Sequence, residues 1–257
     1  MMILSNQIQT TKQLVIDTLG ISLKAIYLYG SYVDGGLKHK SDIDFFVVVD
    51  TKLTQENKQL LINELLLLSG AIDNKENKRY LEITIVNQEE FSNLNLPIHR
   101  EFQYGEWLRE AFLSGYIPER TLDQDLTILL RQIKQSSLTL YGILANELLP
   151  IISDNDFKLA ILSLFPLIIE ELEQDTTNVI LTLSRMLYSL KTGKITSKDK
   201  AVDYTLSYVP KEFSLLLTDS KNRYLENDSY IEKANPLLLK EFACFMTQVI
   251  TLNHETQ

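Results

Sequence analysis

Residues Leu28-Tyr29-Gly30-Ser31 and, after ten intervening residues, Asp42-Ile43-Asp44-Phe45-Phe46-Val47-Val48-Val49 restrict this chain more than any other stretch. The short apolar run Ala25–Tyr29 reads as a strand that stops at a glycine. The run from Asp42 to Val49 reads as a second strand. Side chains two apart on a strand share a face, so Asp42 and Asp44 point at one spot. A glycine at the strand end lets backbone approach a phosphate, and Ser31 offers an N–H and a hydroxyl to its oxygens. Two convergent carboxylates beside phosphate oxygens form a ligand set suited to Mg²⁺. Each half alone also fits an ordinary solvated strand end. The joint spacing is what argues for a nucleoside triphosphate site.

A third carboxylate lies in Arg79-Tyr80-Leu81-Glu82-Ile83-Thr84-Ile85-Val86, another β-rich run in which Glu82 alternates away from Leu81, Ile83 and Ile85. Carboxylates are seldom buried in a strand unless paired or bound to a metal. Beside the Asp42–Val49 strand, Glu82 would join the aspartates as a third metal ligand, a general base, or both. The plainer alternative is an edge strand with Glu82 facing water.

The remaining patterning divides the chain in two. Residues 6–19 read as a first helix, and Thr54–Ser69 as a helix closed by Gly70. The polar stretch Asp73–Lys78 reads as a loop, Phe102–Leu113 as a helix ending at Gly115, and Leu122–Leu140 as a long helix. From about residue 150 the alternation of strands and helices stops. Phe157–Leu172, Asn178–Leu190, Lys198–Tyr208, Phe213–Tyr224 and Pro236–Leu252 all read as helices. The expected class is α/β plus all-α: a mixed-sheet domain over residues 1–152 and a helical bundle over 153–257.

Composition bounds the partners. A net charge of −9 argues against nucleic acid and suits a cationic small molecule. No apolar run approaches the roughly 18 residues needed to span a bilayer, and no signal peptide is evident, so no membrane partner and a cytoplasmic location are expected. The single cysteine, Cys244, reads as a small buried hydrophobe. His39, His99 and His254 show no ligand spacing and read as loop or surface residues.

The Gly-Ser pair, the Asp-x-Asp ten residues on and the later strand glutamate resemble the nucleotidyltransferase superfamily. More narrowly, the blocks 28–38, 41–44, 81–86, 100–109, 178–185 and 192–199 resemble the aminoglycoside adenylyltransferases that modify spectinomycin, some of which also modify streptomycin. The resemblance runs from about residue 26 to 225. It implies an N-terminal nucleotidyltransferase domain and transfer of AMP from ATP to the 9-hydroxyl of spectinomycin. It further implies dependence on Mg²⁺ (two ions) and release of pyrophosphate; a monomer is expected.

Several roles rest on the resemblance alone. The helical half supplies Arg185 and Lys198 to the triphosphate and Tyr224 near the nucleotide. Each of these would otherwise read as a residue on a solvated helix face. Glu106 and Trp107, on a helix after the third strand, and Asp175 and Asn178, in the helical half, would line the drug site. Trp107 equally fits core packing. Gln174-Asp175-Thr176-Thr177-Asn178 replaces a more charged stretch of the dual-specificity relatives, which favours spectinomycin over streptomycin. The rival readings are a dual streptomycin and spectinomycin adenylyltransferase, transfer to another aminoglycoside, to a lincosamide or to a protein hydroxyl, and a nucleotide-sensing or scaffold module without chemistry.

Overall fold

A computed structural model describes residues 2–38, 41–71, 78–92, 94–226 and 235–252. The chain splits into two units, Met1–Leu37 with Ser41–Ile151, and Lys38–Lys40 with Ile152–Gln257.

The first unit runs α1 (Met2–Leu19), β1 (Leu23–Tyr29), β2 (Ile43–Val49), α2 (Gln55–Leu68), β3 (Leu81–Asn87), α3 (Glu89–Ser92), β4 (His99–Arg100), β5 (Phe102–Tyr104), α4 (Arg109–Leu113), β6 (Thr121–Leu122), α5 (Asp125–Gln135), β7 (Leu138–Gly142) and α6 (Ala145–Leu148). Five strands form a mixed sheet in the order β5-β3-β2-β1-β7. β2 and β3 are parallel and joined through α2, whereas β1 is antiparallel to both β2 and β7. α2 starts where the sequence marks it: the Thr54 hydroxyl accepts from the Asn57 amide at 3.1 Å, one half of a capping box.

Strand alternation sorts this sheet into two faces. Ile26, Leu28, Ile43, Phe45, Val47, Leu81, Ile83 and Ile85 form one core with Ile8 and Val15 of α1 and Leu61, Ile62 and Leu65 of α2. Each such side chain taken fully out of water contributes roughly 1.5–3 kcal/mol. On the opposite parity Phe46, Val48 and Val86 are also fully buried. That face turns polar toward the start of β2 and β3, where Asp44, Glu82 and Thr84 occupy its positions. The site therefore lies on the same parity as buried apolar side chains.

Two expected helices divide differently. Residues 102–113 open as β5, with Phe102 and Tyr104 buried opposite Ile85 and Ile83; Glu106–Leu108 is a 3₁₀ turn, and only Arg109–Leu113 is α-helical. The alternation Phe-Gln-Tyr has period two, and ladder bonds to β3 outweigh the helical propensity of the adjoining residues. The stretch 122–140 contains α5 but breaks at Ser136, whose extended backbone leads into β7 beside β1. The loop expected at Asp73–Lys78 lies, except for Lys78, outside the described residues.

Among its described residues the second unit contains helices and no strand: α7 (Asp154–Glu170), α8 (Thr176–Thr192), α9 (Lys198–Thr205), α10 (Ser214–Glu226) and α11 (Pro236–Leu252). α8 is its centre and touches α7, α9, α10 and α11. Val179, Ile180, Leu181, Leu183, Met186, Leu187 and Leu190 are all buried, so apolar side chains surround much of its circumference. Gly193 ends α8 in the left-handed conformation, φ 67°. Cys244 is exposed on α11 rather than buried, because it falls between the inward positions Phe242 and Met246.

Candidate active site

Parallel pairing of β2 and β3 sets Asp44 directly opposite Glu82, and antiparallel pairing of β1 sets Tyr29 on the other flank of Asp44. Asp42 lies two residues before Asp44 on the same side. Asp42, Asp44 and Glu82 each bring a carboxylate oxygen within 4.8 Å of the others, all three half-buried. The backbone ladder thus dictates the convergence that the spacing predicted.

Such crowding of like charge has an electrostatic signature. The Glu82 carboxyl is pushed up to about 7, first by burial and then by the charge of Asp42; a hydrogen bond from Gln103 opposes the rise, Asp125 adds to it, and Arg100 opposes it. The Tyr29 phenol is raised as well, by burial and then by Glu82 and Asp44, with a hydrogen bond from Thr84 acting against. Excess negative charge from an all-oxygen donor set fits a hard divalent cation such as Mg²⁺. Without a cation, the simplest relief is for Glu82 to keep a proton.

Gly30 is required twice over. Its φ of 66° suits glycine, and a Cβ there would overlap the Asp44 carboxylate. Its carbonyl accepts from the Val33 and Asp34 amides at 3.1 and 2.9 Å, closing a tight turn that holds Ser31 half-buried next to the acids' strand. Asp34 fastens this turn to the end of α5 by accepting from the Ser136 hydroxyl at 2.6 Å.

Glu106 and Trp107 part company. The Glu106 carboxylate is buried, ion-paired with Arg109, and accepts from the Ser69 hydroxyl at 2.7 Å. That same Ser69 hydroxyl accepts the Leu81 amide at 3.1 Å, one residue before Glu82. These contacts tie Glu106, expected to line the drug site, to the framework beneath the strand that carries Glu82. Trp107 is 58% exposed, so the core-packing alternative does not hold; its ring folds back over Gly105, where a Cβ would collide with it.

Several neighbours of Glu82 escape sequence reasoning. The helix-like composition around Gln103 hides its strand parity, which it shares with Thr84 across the ladder. Arg100 pairs with Asp123 at 2.6 Å, and Asp125 is held above the usual carboxylate range by burial and then by Asp123. Only long-range pairing assembles them. Among the histidines, His99 sits in β4 against the Glu90 carboxylate at 3.2 Å rather than in a loop, and His39 and His254 lie outside the described residues.

In the helical unit the expected nucleotide and drug residues lie on exposed or half-buried helix faces. Asp175 caps α8, its Oδ1 accepting from the Asn178 amide at 3.4 Å. Arg185 stands two turns beyond Asn178 on the same stripe of α8. Lys198 is the first residue of α9, where the helix dipole disfavours a cation by roughly 0.3–1 kcal/mol. Its ammonium donates to Asn178 Oδ1 at 2.7 Å and lies 5.8 Å above the Tyr224 ring centre. Asn178, Lys198 and Tyr224, from α8, α9 and α10, therefore form one cluster.

Comparison with known proteins agrees with this layout. Residues 13–96 match the polymerase beta nucleotidyltransferase domain, and residues 147–249 match the C-terminal domain of aminoglycoside adenylyltransferases. A spectinomycin 9-adenylyltransferase of Staphylococcus aureus is 40% identical over 219 residues, covering 85% of this chain and 84% of its own. An aminoglycoside (3'')(9) adenylyltransferase of Escherichia coli is 37% identical over 234 residues, covering 90% and 88%. The crystal structure of the Enterococcus spectinomycin adenyltransferase AAD(9), solved with ATP and spectinomycin, superposes with a TM-score of 0.89 at 35% identity, over 96% of this chain and 99% of that one. The chain belongs to the aminoglycoside adenylyltransferase family.

Proposed function

We propose that this protein transfers AMP from ATP to the 9-hydroxyl of spectinomycin and releases pyrophosphate. The observation that carries the reading is the facing Asp44–Glu82 pair, joined by Asp42 and abutted by Gly30. Its support from kinship is that relatives named for this reaction match most of the chain, and that AAD(9) was solved with ATP and spectinomycin.

Asp42, Asp44 and Glu82 would hold Mg²⁺. When bound, the ion would neutralise charge on the triphosphate oxygens and favour departure of pyrophosphate. Glu82 takes the proton of the acceptor hydroxyl as that oxygen bonds to the α-phosphorus and the bond to pyrophosphate breaks. Gly30 and Ser31 present backbone N–H and hydroxyl groups to phosphate oxygens. Arg185 and Lys198 supply the cations that triphosphate oxygens call for, with Tyr224 beside them. The exposed indole of Trp107 and the carboxylate of Asp175 suit an amine-bearing, compact drug.

Mass spectrometry of spectinomycin after incubation with enzyme, ATP and Mg²⁺ tests the reading. One added AMP on spectinomycin and little on streptomycin is the expected result. Unmodified spectinomycin in the presence of all components would overturn it.

A further inference from the structure

We infer that Asn178 is a positioning residue for Lys198 and so serves the nucleotide, not the drug. This rests on the proposed role of Lys198 at the triphosphate. Lysine has three donors and no acceptor, so only the carbonyl oxygen of the Asn178 amide can face it, and the two atoms lie 2.7 Å apart. The Tyr224 ring takes the ammonium from another side at 5.8 Å. Two contacts from two other helices thus fix a side chain whose four-carbon stem is otherwise among the freest in proteins. Asn178 engages the ammonium through one of its donors, which sets the direction in which the charge is held.

The site of attachment fits the task. Lys198 opens α9, where the dipole disfavours a cation and a bound anion would offset that cost. Asn178 is the third residue of α8; its own amide is capped by Asp175, which leaves its side chain available to Lys198 without weakening the helix start. Arg185 further along α8 belongs to the same stripe, so the helix that carries a proposed phosphate ligand also carries the residue that aims the other.

The test measures binding of ATP with Mg²⁺ by calorimetry, without drug, to Asn178→Ala, Asn178→Leu, Lys198→Met and the double variant Asn178→Ala/Lys198→Met. KM for spectinomycin at saturating ATP and thermal stability are measured alongside. Both single Asn178 changes are expected to weaken ATP about fivefold, the size of one modest hydrogen bond, with KM for spectinomycin and stability unchanged. In the Lys198→Met background, Asn178→Ala should add nothing. A rise in KM for spectinomycin with ATP affinity intact would overturn the inference, as would a full Asn178 effect persisting without Lys198. If Lys198→Met leaves ATP binding unchanged, the triphosphate role of Lys198 itself fails and the inference with it. If Lys198→Met weakens ATP while both Asn178 changes are silent, only the inference fails.

Discussion

The sheet half and the helical half hold their chemical groups by different means. In the sheet, backbone ladders fix Tyr29, Asp44 and Glu82 side by side, and Gly30 leaves no room for drift. In the helical unit, Asn178, Lys198 and Tyr224 meet only through side-chain contacts on faces open to solvent. Backbone-fixed groups come with strain, crowding and shifted acidity. Side-chain-fixed groups come with rotamer freedom and little cost to folding. Reaction chemistry belongs with the first kind, whereas adjustable grip on a substrate can belong with the second.

The largest effect should come from loss of a carboxylate proposed to hold the metal. Asp44→Asn is expected to cut turnover by more than about 10⁴-fold, beyond what a positioned base alone supplies, because charge and metal placement fail together; steady-state kinetics and Mg²⁺ calorimetry would read both. Glu82→Gln should lower kcat by roughly 10²–10⁴-fold while ATP and spectinomycin still bind. Unchanged turnover there would remove the proton-accepting role and weaken the contrast between the halves.

Acidity sharpens it further. In the metal-free protein Glu82 holds its proton up to about 7 instead of 4.5. Mg²⁺ must displace that proton, so its affinity should fall about tenfold per pH unit below about 7 and level off above it. Glu82→Gln should flatten the profile, and a slope that survives the substitution would assign the proton elsewhere. Gly30→Ala should destabilise the metal-free fold by roughly 1–3 kcal/mol in chemical denaturation, since the φ is strained and the methyl meets Asp44. The smallest effect belongs to the helical surface. Lys221 pairs with Asp203, which is 58% exposed, and Lys221→Ala should shift stability by less than about 1 kcal/mol.

The same contrast governs what can be read from sequence. Asp42, Asp44, Glu82 and Gly30 are legible because strand parity and a glycine at a strand end are local signals. Parallel pairing then only has to bring two readable strands together. Gln103, Arg100 and Asp125 are not legible, since their nearness to Glu82 depends on β5 joining the sheet, and 102–113 carries a helix-like composition. β7 is hidden in the tail of what reads as one long helix, where only Ser136-Ser137 marks the break. In the helical unit no periodicity separates Lys198 or Asn178 from other charged and polar helix residues. Resemblance points to them, and side-chain contacts across α8, α9 and α10 relate them to one another.

Ser69 gives the molecule a shared anchor with a cost for adaptation. One hydroxyl grips both the Leu81 amide and the Glu106 carboxylate, so the turn presenting Trp107 and the strand presenting Glu82 are not independent parts. A substitution that reshapes that turn should also shift the strand carrying Glu82, the proposed proton acceptor. If that turn meets the drug as proposed, broadened recognition through it would come with slower chemistry, unless the change stays on the indole and leaves its acidic neighbour in place.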